Sequence, residues 1–261
     1  MSPIGAPGET SERGERIAKW LARAGVASRR DAERLLADGK VSLNNVRVTH
    51  PATFVTAGDL VQVNGTLVDP PDRTRLWRYH KPPGLVTTHR DPEGRPTVFE
   101  KLREQLPRVI SVGRLDLTSE GLLLLTNDGA LARRLELPAT GWIRRYRVRV
   151  HGTPEPQALA ALARGITIEG VRYGPIEAGI DARRGENTWL TVSLKEGRNR
   201  EVRRVMAYLG LPVTRLIRVA YGPFQLGTLE RGGIDEVPAR ILREQLPADV
   251  APPVPQRSAR S

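Results

Sequence analysis

The chain has 261 residues, 39% hydrophobic and 27% charged, which is enough apolar mass for a buried core and argues against general disorder. Lys and Arg number 41 against 29 Asp and Glu, a formal charge of +12, and a polyanion such as RNA or DNA is the simplest partner for that excess. The absence of cysteine excludes disulfides, thiolate zinc sites and cysteine nucleophiles, and four widely spaced histidines with no HExxH pair give no reason to expect a metal.

The opening MSPIGAPGETSERGER lacks the apolar run of a secretion signal, and no stretch reaches the ~18 apolar residues of a membrane helix. A cytoplasmic protein is expected. Residues 1–12 read as a flexible tail, and residues 13–65 as a compact module. ERIAKWLARAGV carries Ile17, Trp20, Leu21 and Ala24 at helical spacing and stops at Gly25. A second helix starts at Ser28, with Asp31 in the position of a capping box, and stops at Gly39. Strand-like VSL, RVTH and DLVQVNG follow, the first two joined at Asn44-Asn45. Arg23, Arg29, Arg30, Arg34 and Lys40 gather on or near the second helix. Such a face either meets water or holds a nucleic-acid backbone.

TLVDPPDRTR, residues 66–75, reads as a linker. From 76 to 246 the pattern is mostly strands: LWRYHKPP, GLVTTH, VISVG, GLLLLT, IRRYRVRV, GITIEG, TWLTVSL and TRLIRVAYG. Helices are expected near DGALARRLEL, PEPQALAALA, REVRRVMAYL and PARILREQL. Strands and helices do not alternate regularly, so an α+β fold with a mainly antiparallel sheet is expected. Residues 247–261 read as a Pro-rich disordered end.

Three stretches could carry chemistry. In GRLDLTSEGLLLLTNDG, LLLLT suits a strand buried on both faces, and Asp116 stands in the loop that enters it. A loop aspartate of this kind either caps a turn or serves a site. In IRRYRVRV, Arg145, Arg147 and Arg149 share one face and Tyr146, Val148 and Val150 the other, which turns Tyr146 inward, to the core or to a cleft. In KEGRNREVRRVMAYLG, Val202, Val205, Met206 and Leu209 form a packed helical side. Arg200, Arg203 and Arg204 form another side, with Arg198 and Asn199 at the entrance; that density of guanidinium groups suits phosphate contacts.

Together these stretches resemble the RsuA/RluB family of ribosomal RNA pseudouridine synthases. GRLDLTSEGLLLLTNDG resembles the family's catalytic motif, KPPGLVTTHRDPEGRPTVFEKL its first strand and loop, and EGRNREVRRV and RLIRVAYGPFQLGTL its later motifs. The N-terminal module resembles the alpha-L RNA-binding motif. The likeness is strongest to the RluB subgroup, which implies 23S rRNA or a large-subunit assembly intermediate as partner; no cofactor is expected, and a monomer is the default expectation.

By that resemblance Asp116 is the catalytic carboxylate, Tyr146 the residue that stacks on the target uracil, and Arg203 the partner of the carboxylate. Arg114 would fill the gap left by an extruded base, and Leu216 would pack against the pocket. Arg198 and Asn199 would contact substrate, and Arg200 and Arg204, with the basic residues of the N-terminal module, the RNA backbone. The sequence departs from the family pattern at Leu137-Pro138, at Glu201 where Gln is common, and in RGGIDEV. The chemistry explains the sparse inventory. Pseudouridine formation detaches uracil, rotates it and rejoins it through carbon, with no net oxidation or hydrolysis. An aspartate side chain is normally ionised at neutral pH and needs no activating base. Glycosidases keep a second carboxylate to activate water; here the detached uracil itself is the returning nucleophile.

Overall fold

The computed structural model describes residues 14–137 and 140–246. The two tails and Pro138 lie outside the described residues. The chain divides into two units between Arg73 and Thr74.

In the first unit, β1 (Glu15–Arg16) leads into α1 (Ile17–Arg23) and then α2 (Arg29–Ala37). The Ser28 hydroxyl accepts the Asp31 N–H at 3.1 Å and donates to the Asp31 carboxylate at 2.6 Å, so the pair caps α2 through its side chains. β2 (Val41–Leu43), β3 (Val46–Val48), β4 (Phe54–Val55), β5 (Val61–Val63) and β6 (Thr66–Leu67) follow. They form a four-stranded sheet in the order β3-β2-β5-β6, beside a β1-β4 pair. Asn44 and Asn45, both at positive φ, make the β2–β3 turn. Ile17, Leu21, Ala32, Leu36, Val41 and Val61 bury together as this unit's core. The segment read as a linker begins as strand: Thr66–Leu67 pair with β5, and Val68 packs on the core.

The second unit is built on a nine-stranded sheet. Its elements run β7 (Leu76–Lys81), α3 (Val98–Leu102), β8 (Ile110–Val112), β9 (Glu120–Thr126), α4 (Gly129–Glu136), β10 (Arg144–His151) and α5 (Pro156–Ala161). β11 (Ile166–Ile168) and β12 (Val171–Tyr173) make a separate hairpin; β13 (Ile176–Arg184), β14 (Asn187–Leu194), α6 (Glu201–Tyr208), β15 (Val213–Tyr221), β16 (Phe224–Gln225), β17 (Ile234–Glu236) and α7 (Ala239–Gln245) complete the unit. The main strand order is β13-β14-β10-β15-β9-β7-β17, with β16 on β15 and β8 on β9. Every pairing is antiparallel except β15 with β9, so the α+β, mainly antiparallel expectation holds.

β9 explains the leucine run. All seven of its residues are buried. Leu122 and Leu124 pack into one cluster with α4 and α7, and Leu123 and Leu125 into another with Trp77, Tyr79 and α3. Gly121 is required where β9 meets β15: its φ is +105°, and a Cβ there would lie 2.3 Å from the Arg218 carbonyl oxygen. A third cluster packs Tyr146, Val148 and Val150 of β10 against Val202, Val205 and Met206 of α6. GLVTTH is not a strand. Gly84 at φ +89° ends the extension of β7, and beyond it only one bridge forms, Val86 to Thr97. The Thr87 hydroxyl turns instead to the Leu115 carbonyl, 2.9 Å away.

Candidate active site

The Asp116 loop is held from below by a buried cation. Lys81 ends β7 with no exposed surface, and its ammonium donates to the carbonyls of Pro82 (3.1 Å), Asp116 (3.1 Å) and Ser119 (2.9 Å). Burial pushes its pKa down to about 8; the charges of Asp116 and Glu120 oppose that shift and Arg218 adds to it. The Ser119 N–H donates to the Asp116 carbonyl at 3.0 Å, and Leu115 is buried against the α3 side of the sheet, its carbonyl fixed by Thr87. The backbone on both sides of Asp116 is therefore pinned, while its carboxylate is about 30% exposed.

That carboxylate pairs with Arg200, Nη1 to Oδ2 3.8 Å. Arg200 is the residue before α6 and adopts a left-handed conformation, φ +53°. The direct pairing thus falls to Arg200 and not to Arg203, the partner implied by resemblance. Arg203 is committed to backbone: it donates to the Val213 carbonyl at 3.2 Å and the Thr118 carbonyl at 3.3 Å. It braces the loop that carries Asp116. Burial, then the charge of Arg200, push its pKa down, and Asp116 pushes it back.

Tyr146 is 8% exposed and shares a cluster with Leu216. Register places it in the row of Gly121, near the start of the strand that follows the Asp116 loop: Tyr146 pairs with Arg218 across β10–β15, and Arg218 with Gly121 across β15–β9. Two strand spacings, ~9.6 Å between outer backbones, separate them. Arg114, Asn199 and Arg204 are exposed. Arg198 donates to Glu196 at 2.9 Å and lies 5.9 Å from the Tyr173 ring centroid. Glu201, where the family commonly has Gln, is buried; burial pushes its pKa up, toward the neutral form that mimics an amide. Ser119 Oγ, Arg203 Nε, Arg218 Nη2 and Glu201 Oε1 are buried without protein partners among the described residues. Orphaned buried donors and acceptors are costly unless water meets them.

Lys81, Glu120, Arg215, Arg218 and Arg231 went unnoticed in the sequence. Lys81 had a signal: alternation in LWRYHK puts it on the inward side with Trp77 and Tyr79. Glu120, immediately before β9's glycine, accepts from Arg215 Nε at 2.6 Å and Arg231 Nη2 at 2.7 Å. Burial opposes its charge, but the two guanidinium groups outweigh it and hold Glu120 below the usual carboxylate range. A depressed folded pKa gives stability that is present above the unfolded value and lost as pH falls through the folded one. The advantage of wild type over Glu120→Gln in urea midpoint is therefore expected to shrink as pH drops below ~4. A pH-independent difference between the two would contradict this.

In the first unit the basic cluster is largely matched by its own acids. Arg23 pairs with Glu15 (2.9 Å), Arg29 with Glu33 (3.8 Å), Arg34 with Asp31 (3.2 Å) and Lys40 with Asp38 (3.0 Å). Arg30 has no acidic partner among the described residues. Exposed pairs of this kind are weak, so an RNA phosphate can compete for them.

The family model described as RNA pseudouridylate synthase matches residues 75–208, and that of the S4 domain matches 15–61. An uncharacterised RNA pseudouridine synthase of Rickettsia prowazekii is 46% identical over 88% of this chain and 97% of its own length. The ribosomal large subunit pseudouridine synthase B of Pasteurella multocida is 41% identical over 91% of this chain and 72% of its own, and that of Yersinia pestis 40% over 91% and 78%. The chain belongs to the RsuA/RluB family of RNA pseudouridine synthases. As a pseudouridine synthase it is an isomerase, and its first unit is an RNA-binding S4 domain. A crystal structure described as a pseudouridylate synthase superposes with a TM-score of 0.61 at 25% identity, covering 88% of this chain and 99% of that one. Among the described residues no helix is long and apolar enough to cross a membrane.

Proposed function

We propose that this synthase isomerises a uridine of 23S rRNA, with Asp116 as the carboxylate that meets the sugar. The observation that supports the target is the likeness to the large-subunit synthases of Pasteurella and Yersinia along nine-tenths of the chain. For the chemistry, support comes from an open carboxylate on a pinned backbone, in ion pair with Arg200. Glu120, the nearest carboxylate in sequence, is occupied by Arg215 and Arg231 and leaves Asp116 to act alone.

The target carbon is unreachable inside a stacked helix, so the nucleotide is extruded at a cost of a few kcal/mol. Stacking on Tyr146 returns roughly 1–3 kcal/mol of it. Arg114, exposed at the loop's edge, occupies the vacated space. Asp116 then attacks the anomeric carbon or assists loss of a sugar proton to give a glycal. The freed uracil turns and rejoins through carbon; as it does so the bond from Asp116 to the anomeric carbon breaks or, on the glycal route, Asp116 returns the sugar proton, and the proton on the newly bonded base carbon passes by way of the Tyr146 hydroxyl to water.

The test is tritium release from uridine labelled at the base carbon where the new bond forms, in transcribed 23S and 16S rRNA. Release from 23S is expected. Release from 16S alone would overturn the large-subunit assignment, and release from neither would leave an assembly factor without turnover. Affinity is also expected to be salt-steep: ~six phosphate contacts predict a loss of about 10³-fold between ~50 and ~200 mM salt. Arg30→Ala should lower the log–log slope by about one. A slope near zero in wild type would contradict backbone recognition.

A further inference from the structure

β10 has a second face. Tyr146, Val148 and Val150 pack toward α6, whose entrance residue Arg200 pairs with Asp116, so the cleft lies on that side. Alternation turns Arg145, Arg147 and Arg149 to the opposite side of the sheet. On that side α4 and α7 cover the β9 end, where Leu122 and Leu124 pack. The β14–β10–β15 end carries Trp189, Arg149 and Arg215 in one register row, with Arg147 in the next. The guanidinium carbons of Arg147, Arg149 and Arg215 lie 4.8, 5.9 and 6.0 Å from the Trp189 ring centroid.

We propose that this face is a second RNA-binding surface, which takes the sugar-phosphate backbone of an rRNA segment other than the one carrying the target uridine. The inference rests on the RNA-substrate reading above for the identity of the polyanion. Charge argues for it. Arg145 and Arg149 have no carboxylate partner among the described residues, and Arg147 has only Asp181, 3.9 Å away. Glu120 answers Arg215 but is shared with Arg231. Clustered guanidinium groups repel one another, a cost that a bound polyanion removes. Geometry argues for it as well. The indole gathers three guanidinium groups within about 6 Å of its ring, and the side chain of Arg147 remains 51% exposed, able to meet phosphate oxygens in pairs. Because a continuous sheet separates this face from the cleft, one short stem-loop seated at Asp116 does not reach it. A large rRNA fragment does.

The test uses the full chain with Arg147→Gln and Arg149→Gln together, and Trp189→Ala separately. The probe is a short RNA duplex without unpaired uridines, bound across a salt series. The double variant is expected to bind about tenfold more weakly at low salt, with a log–log slope smaller by ~1.8, about 0.9 for each phosphate that is no longer neutralised. Trp189→Ala should weaken binding with little change in slope. Turnover of a minimal target stem-loop should be unchanged, while KM for a long 23S fragment rises about tenfold. Unchanged circular dichroism and melting confirm the fold. An unaltered slope and affinity for the duplex in a folded double variant overturns the proposal. Loss of polyglutamate binding with duplex binding intact also overturns it, in favour of an acidic protein. Duplex binding is read without turnover: a wild type inactive on every rRNA but with Arg147- and Arg149-dependent duplex binding would overturn the rRNA-isomerase reading and support this surface.

Discussion

Asp116→Asn is expected to abolish isomerisation, by at least about 10⁴-fold in single-turnover rate, while RNA affinity stays within about threefold of wild type. The substitution keeps the shape and removes the charge. The loop should hold, because its anchors are backbone groups: the Asp116 carbonyl accepts from Lys81 and from the Ser119 N–H, and the side chain takes no part. What goes is the group that can attack the sugar or take its proton. Arg200 loses its counter-charge but sits about half exposed, so water replaces it. Rapid-quench measurement of pseudouridine content, beside a mobility-shift titration, separates the two effects. A variant that turned over within tenfold of wild type would remove Asp116 from the chemistry.

Lys81→Met is expected to lower turnover about 10²-fold with little change in RNA affinity, since an error of ~1 Å in a reacting group costs that much. Lys81 touches no exposed surface and so cannot contact RNA; its effect passes through the three carbonyls it gathers, one of them belonging to Asp116. It is a positioning residue, and its titration offers a readout that loop geometry alone would not give. Its folded pKa, about 8, lies below that of an unfolded lysine, about 10.4. Between those values the unfolded state binds more protons, so wild-type stability should rise with pH across that window, by on the order of 3 kcal/mol at most. Lys81→Met lacks this rise. Urea midpoints of both proteins at pH ~7.5 and ~9.5 measure it. Parallel pH responses would show that burial does not lower the pKa of Lys81.

The sequence was most legible where a period was strong and its partner local. Ser28 capped α2 as its spacing predicts, β9 buried both faces of LLLLT, and alternation in β10 set Tyr146 inward. It was least legible where long-range packing decided the outcome. β13 was not foreseen: only Ile176 is buried in it, and as an edge strand it is held by its ladder with β14. The strand reading of GLVTTH failed because its threonines and valine, good strand formers, follow a glycine that turns the chain. Arg200 and Arg203 lie three apart, close to one face of a helix, so spacing does not rank them. The left-handed backbone at Arg200 and the carbonyls that claim Arg203 do, and neither is written in the local pattern. The basic count of the S4 domain likewise concealed its acids: most of those cations already have a partner.

The most direct measurement is a crystal structure of Asp116→Asn bound to a 23S rRNA stem-loop that wild type modifies. The expected result is one uridine swung out of the helix, its ring on Tyr146 and its anomeric carbon within ~3.5 Å of the side chain at position 116. A stem-loop bound with that uridine still stacked in the helix, or with its sugar turned away from position 116, would contradict the assignment of Asp116.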